Sequence, residues 1–123
     1  MAALTYCTVG SNRIEEAKVF YDGVLALVGL SGMHDSPRGR IYGRDGGFSF
    51  GVLTPYDGNA ASVGNGSMFS FACDSRDEVD ALHAKAISLG GACEGAPGER
   101  QPGAYFSYFR DLDGNKLCAY CIG

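Results

Sequence analysis

The sequence predicts an α+β fold of two βαβββ modules whose curved sheets enclose a cavity, and three observations carry that expectation. A strand leading into a capped helix occurs twice, with Asn12 and Ser75 at the helix starts and 63 positions between them. A hairpin whose turn opens with Arg-Asp and contains glycine follows each helix, at Arg44-Asp45-Gly46-Gly47 and at Arg110-Asp111-Leu112-Asp113-Gly114. Between the copies, residues 57–65 are small and polar, as a linker is. The 123 residues then form one domain, with module 1 at 1–56 and module 2 at 66–123.

Each element has its own local cause. Leu4 to Val9 is rich in Thr, Tyr and Val and stops at Gly10-Ser11-Asn12, which predicts a strand running into a turn. Asn12 followed three residues later by Glu15 predicts a helix N-cap. Ile14, Ala17, Tyr21, Val24, Leu25 and Val28 recur at helical spacing, Gly29 supplies the end, and Gly23 weakens the last turn. Module 2 repeats the plan: an apolar strand over Met68 to Cys73, a capping box of Ser75 and Glu78, and a helix face of Val79, Leu82, Ala86 and Leu89 ending at Gly90-Gly91. A Gly/Pro-rich stretch follows each helix, at Ser31–Arg38 and at Pro97–Tyr105, and reads as a loop. The hairpins come next, Arg40–Gly43 into Phe48–Leu53 and Tyr105–Phe109 into Asn115–Cys121. One helix covers only one face of such a sheet, so two sheets that cover each other would bound a concave space suited to a small molecule.

Composition excludes several classes of function. Ten Lys+Arg against fourteen Asp+Glu leave a net charge of −4, without the basic patch that nucleic acid requires. The longest nearly unbroken apolar run, Val24 to Leu30, is far short of the roughly 20 residues of a membrane span. No basic segment precedes an apolar one at the N-terminus, so a cytoplasmic protein is expected. Five cysteines, an odd number in such a protein, predict reduced thiols rather than a disulfide framework.

The doubled unit, Phe20-Tyr21 inside the first helix and the terminal Arg110-Asp111-Leu112-Asp113-Gly114-Asn115-Lys116-Leu117-Cys118-Ala119 resemble the vicinal oxygen chelate superfamily. That group includes glyoxalase I, bleomycin-resistance proteins, fosfomycin-resistance enzymes and extradiol dioxygenases. The resemblance runs from Leu4 to Cys121, and Leu112 stands where the family's Asp-Pro-Asp-Gly-Asn has proline. Its metalloenzymes hold a divalent cation on His and Glu side chains from four strands. The resemblance carries those places onto Tyr6, Phe50, Met68 and Cys118, the second of them through the internal repeat. A phenol, a phenyl ring, a thioether and a thiol do not meet the needs of Mg²⁺, Zn²⁺ or Ni²⁺, so no metal cofactor is expected.

Strand alternation extends the set. Leu4 and Thr8 would point inward with Tyr6, Phe48 and Val52 with Phe50, Ser70 with Met68, and Lys116 and Tyr120 with Cys118. The candidate ligand-binding residues are therefore Tyr6, Thr8, Phe48, Phe50, Met68, Ser70, Cys118 and Tyr120, an aromatic lining with a few hydroxyls.

Other candidates carry less chemistry. Cys118 and Cys121 have C-x-x-C spacing, but on a strand their sulfurs point to opposite faces, and no base is in view to activate Cys118 as a nucleophile. His83 falls on the apolar side of the second helix, as a packed histidine does. His34 stands beside Asp35, which could orient it as a base, and Arg100, next to Gln101, could hold an anionic group.

The leading expectation is a metal-free protein of this superfamily that binds a partly apolar or aromatic organic ligand, resembling its bleomycin-resistance branch, and forms a homodimer. The alternatives are a divalent-metal-dependent lyase, isomerase or dioxygenase of the superfamily, and a dimeric interaction module with a filled cavity. Any enzymatic activity would be of the glyoxalase-like lyase or dioxygenase type.

Overall fold

The computed structural model describes residues 1–123. Module 1 runs β1 (Tyr6–Gly10), α1 (Ile14–Ala26), β2 (Ser31–Ser36), β3 (Gly39–Gly43) and β4 (Ser49–Leu53). Module 2 runs β5 (Phe69–Ala72), α2 (Arg76–Ser88), β6 (Ala92–Gln101), β7 (Ala104–Arg110) and β8 (Lys116–Ile122). Each module makes its own four-stranded sheet, ordered β1-β4-β3-β2 and β5-β8-β7-β6. In both, the first strand pairs in parallel with the last and the others pair antiparallel.

Two segments expected as loops are strands. β2 contains His34, and β6 contains Pro97, Arg100 and Gln101. Both lie at sheet edges and pair with one neighbour through shifted registers. An edge strand needs hydrogen bonds on one side only, and so tolerates the glycines and proline that argued for a loop.

The helix starts also differ between modules. Ser75 caps α2 as expected, its hydroxyl accepting from the Glu78 amide at 3.1 Å. Asn12 does not cap α1; that position falls to Arg13, which makes no side-chain cap bond. The Asn12 amide group is engaged elsewhere, donating to the Ala61 carbonyl at 2.9 Å and accepting from the Ala61 N–H at 2.7 Å. Asn12 thus fastens the linker to module 1.

The modules meet through their helices and through strand side chains, Phe50 of β4 packing on Phe69 and Phe71 of β5. α1 lies against α2, and Gly23 makes the approach close: a β-carbon there would stand 2.7 Å from Leu89 Cδ1. One continuous core runs from Phe20, Tyr21, Val24 and Leu25 of α1 to Val79, Leu82 and Ala86 of α2, with Phe50, Val52, Phe109, Leu117 and Ala119 from the strands.

The terminal turn of module 2 locks onto module 1. The buried Tyr21 hydroxyl donates to Asp111 Oδ2 at 2.5 Å, and Asn115 Nδ2 donates to that oxygen and to the Gly10 carbonyl, both at 2.9 Å. Asp111 Oδ1 accepts from the backbone N–H groups of Asp113 and Asn115. Asp113 Oδ1 in turn accepts from the Asn12 N–H. A buried carboxylate is costly unless hydrogen-bonded, and four donors satisfy Asp111. Burial, and next the Asp111 charge, push the Tyr21 phenol well above its ordinary pKa, so it remains a donor.

Candidate functional site

Where the modules join, the structure leaves a cavity of about 440 Å³ lined by fourteen residues, ten of them hydrophobic. Phe50 forms its floor, with its ring 6.1 Å from that of Phe69 and 5.4 Å from that of Phe71. Leu4, Cys7, Val28, Leu30 and Phe48 close the module 1 side, and Arg44, Asp74 and Glu78 supply charge. Consecutive residues Met68 to Ala72 all contribute, so the cavity wraps around the free edge of β5 rather than facing one side of it.

Four candidate residues line this cavity: Phe48, Phe50, Met68 and Ser70. Tyr6, Thr8, Cys118 and Tyr120 do not. Their positions define two further surfaces, the sides of the sheets turned away from the helices. On the first, face A, Tyr6 and Thr8 flank Gly51, where a β-carbon would lie 3.3 Å from both Tyr6 Oη and Thr8 Cγ2. On the second, face B, Ser70 stands beside Cys118, Tyr108 opposite Cys118, and Phe106 opposite Tyr120.

Phe50 is therefore corrected: it does not share a face with Tyr6. It pairs with Cys7, and its ring packs 5.3 Å from that of Tyr21 beneath α1, with Val52 in the same core. The cause is one residue. β8 starts two positions after Gly114, whereas β4 starts three after Gly46, both glycines having positive φ. A one-residue offset transfers every side chain of a strand to the opposite face. The β4 positions level with Tyr6 and Thr8 are Ser49 and Gly51.

The remaining candidates resolve as follows. Asp35 does not orient His34; it accepts from Arg40 Nε at 3.0 Å and lies 3.1 Å from Lys18 Nζ. His83 is buried with Nε2 unpartnered, its ring edge-on to Phe109, and desolvation lowers its pKa. Cys118 lies wholly buried on face B, while Cys121 packs against the core on the helix side. All five cysteines are unpaired thiols. Burial pushes Cys118 up, with its hydrogen bond to Ser70 opposing, which is unfavourable for a resting nucleophile. The cavity lining also includes Cys7, Phe69 and Phe71, which read in the sequence as helix-side core, and Val28 and Leu30 from the segment between α1 and β2.

Two sequential βαβββ modules, each with first and last strands parallel, define a class of paired-module α+β proteins. The chain belongs to the Glyoxalase/Bleomycin resistance protein/Dioxygenase superfamily, whose sequence profile matches residues 3–119. Among solved structures, a glyoxalase/bleomycin resistance protein from Albidiferax ferrireducens T118 is 40% identical, with a TM-score of 0.88 over 97% of this chain and 98% of that one. A glyoxalase/bleomycin resistance protein/dioxygenase family enzyme from Burkholderia phytofirmans PsJN is 21% identical, with a TM-score of 0.79 over 99% of this chain and 100% of that one. Lactoylglutathione lyase from Agrobacterium tumefaciens shares the fold at 20% identity, with a TM-score of 0.73 over 98% of this chain and 94% of that one. No curated protein matches the chain.

The residues present do not fit the divalent cation of the family's metalloenzymes. Faces A and B offer Tyr6, Thr8, Ser49 and Gly51 on β1 and β4, and Ser70 and Cys118 on β5 and β8. Nowhere do three or more His, Cys, Asp or Glu side chains come together as a metal set. A single thiol among hydroxyls lacks the imidazoles and carboxylates that such an ion requires.

Proposed function

We propose that this protein binds a small, partly apolar or aromatic organic molecule in the cavity between its modules, without a metal ion. The cavity of about 440 Å³, with its phenyl floor and hydrophobic majority, carries this reading. Its size falls among ordinary ligand sites of roughly 300–1,000 Å³. Phe48, Phe50, Phe69 and Phe71 offer faces and edges to a flat ligand, and the Ser70 hydroxyl offers one hydrogen bond. The donor set described above supports the metal-free reading.

The protein acts as a homodimer in the cytoplasm on this reading. Exposed large side chains on module 1 (Tyr6, Met33 and Phe48) and Met68 of module 2 favour association with a second copy. No helix is long and apolar enough to cross a membrane.

Thermal-shift screening against planar aromatic and heterocyclic compounds tests the binding. At least one compound stabilises the wild type; Met68→Ala, which enlarges the cavity, changes the ranking, and Ala72→Leu, which fills it, reduces the shifts. A panel in which nothing stabilises the wild type overturns the reading. One equivalent of tightly held metal by elemental analysis overturns its metal-free part, and a monomer by sedimentation at micromolar concentration its dimeric part.

A further inference from the structure

Face B carries a feature that the cavity does not use. Three rings lie side by side on it: Phe106 and Tyr120 are 5.1 Å apart with planes 14° from parallel, and Phe106 and Tyr108 are 6.2 Å apart at 24°. Two cations converge on the last of these rings. Arg100 lies 5.6 Å and Lys116 Nζ 5.3 Å from the Tyr108 centroid.

Arg100 is fixed rather than free. Its guanidinium donates to the Ala96 carbonyl at 2.7 Å and to the Gly98 carbonyl at 3.0 Å. Two glycines clear its path: a β-carbon at Gly95 would lie 3.2 Å from Nη2, and one at Gly98 3.1 Å from Nη1. Two of its five N–H donors are occupied, so three remain for a ligand.

Neither cation forms a salt bridge, although the charge of Lys116 reaches Glu94 and helps to lower its pKa. The nearby acid, Glu94, is held by Arg110 at 2.8 Å. Arg40 and Arg76, by contrast, are neutralised by Asp22 and Asp35 and by Glu99. In a chain of net charge −4, two cations outside any salt bridge over one aromatic ring form a localised positive site. Ser70 joins it to the cavity, since it lines the cavity and also stands beside Cys118 on face B.

We propose that face B is a subsite for the anionic group of a planar, conjugated organic ligand, such as an aromatic carboxylate, held by Arg100 and Lys116 beside the ring of Tyr108. A guanidinium presents its donors in the plane that a carboxylate matches, and the row of rings accepts the conjugated body by stacking. A neutral ligand of the same shape gains only the stacking. The proposal rests on the reading of this chain as a small-molecule binder, and adds the charge of the molecule.

Titration of ¹⁵N-labelled protein with benzoate, and separately with benzyl alcohol, tests it through amide chemical shifts. Benzoate shifts the amides of Ser70, Tyr108 and Cys118 saturably, and added salt weakens the effect. Arg100→Gln and Lys116→Gln each weaken benzoate binding about tenfold, the second with unchanged melting temperature because Lys116 makes no hydrogen bond that the change would break, whereas Lys85→Gln, on α2, has no effect. Equal shifts from both probes at Phe50 and Phe69, with Tyr108 untouched, overturn the anion subsite and leave the cavity reading standing. Absence of any saturable benzoate effect also overturns it. So do face B shifts that follow protein concentration and ignore benzoate, which assign the face to a second copy of the chain.

Discussion

Replacing Tyr21 by phenylalanine removes one hydroxyl from the clip that joins the modules and leaves the packed ring in place. That hydroxyl donates to Asp111 Oδ2 at 2.5 Å, and both residues are buried. In the variant Oδ2 keeps a single donor, Asn115 Nδ2, while Oδ1 retains its two backbone donors. A hydrogen bond to a charged group contributes roughly 1.5–3 kcal/mol, and its acceptor here has no water to turn to. The expected loss is therefore about 2 kcal/mol, which lowers the urea midpoint by about 1 M for a slope near 2 kcal/mol/M. Tyr42→Phe is the control, because the Tyr42 hydroxyl donates to Asp22, whose side chain is 47% exposed and can recruit water. That change costs under about 1 kcal/mol. Urea unfolding followed by circular dichroism measures both. A loss at Tyr21 below about 0.5 kcal/mol, or no larger than the loss at Tyr42, would refute the assignment of Asp111 as a buried carboxylate dependent on its donors.

Other expectations follow from burial. His83 has its pKa lowered from 6.5 by desolvation, so the unfolded chain binds an extra proton as pH falls through that value. Its share of stability is complete above pH 6.5 and is lost below it. The melting temperature of wild type therefore falls more between pH 7.5 and 5.5 than that of His83→Gln, and equal slopes would remove His83 as the cause. The thiols should react in order of access. Cys93 is exposed, while burial pushes Cys73 up to about 12 and also raises Cys118. Iodoacetamide at pH 8 then labels Cys93 first and the other two only after denaturation, as peptide mass mapping will report.

The duplication is legible in sequence because its signals are local: Ser75 and Glu78 sit at one helix start, and each hairpin turn holds its glycine. Departures arise where distant contacts override local preference. Asn12 has the chemistry of a cap, yet the linker residue Ala61, 49 positions away, takes both ends of its amide. Pro97 and the glycines of β6 signal a loop, yet an edge position accepts them. The cavity could not be drawn from periodicity, which gives the two faces of a strand but not the neighbour each face meets. Phe69 and Phe71 alternate as core residues should, and it is the side-by-side docking of the modules that sets them against Phe50 around a void.

The shared strand order conceals a division of labour between the two outer faces. On face A the central β4 place is Gly51, and Tyr6, Thr8 and Ile41 close over it, so that a β-carbon would meet neighbours at 3.3 to 3.5 Å. A carboxylate side chain there would therefore require the surrounding side chains to move. On face B the equivalent place is Cys118, wholly buried, with aromatic rings and two cations across β6, β7 and β8 around it. The first face carries hydroxyls and small residues at its centre, with His34 at its β2 edge opposite Ile41; the second carries aromatic rings and the cations Arg100 and Lys116. Recognition by charge, as proposed above, needs only one module, and Arg100 and Lys116, outside any salt bridge, assign it to the second.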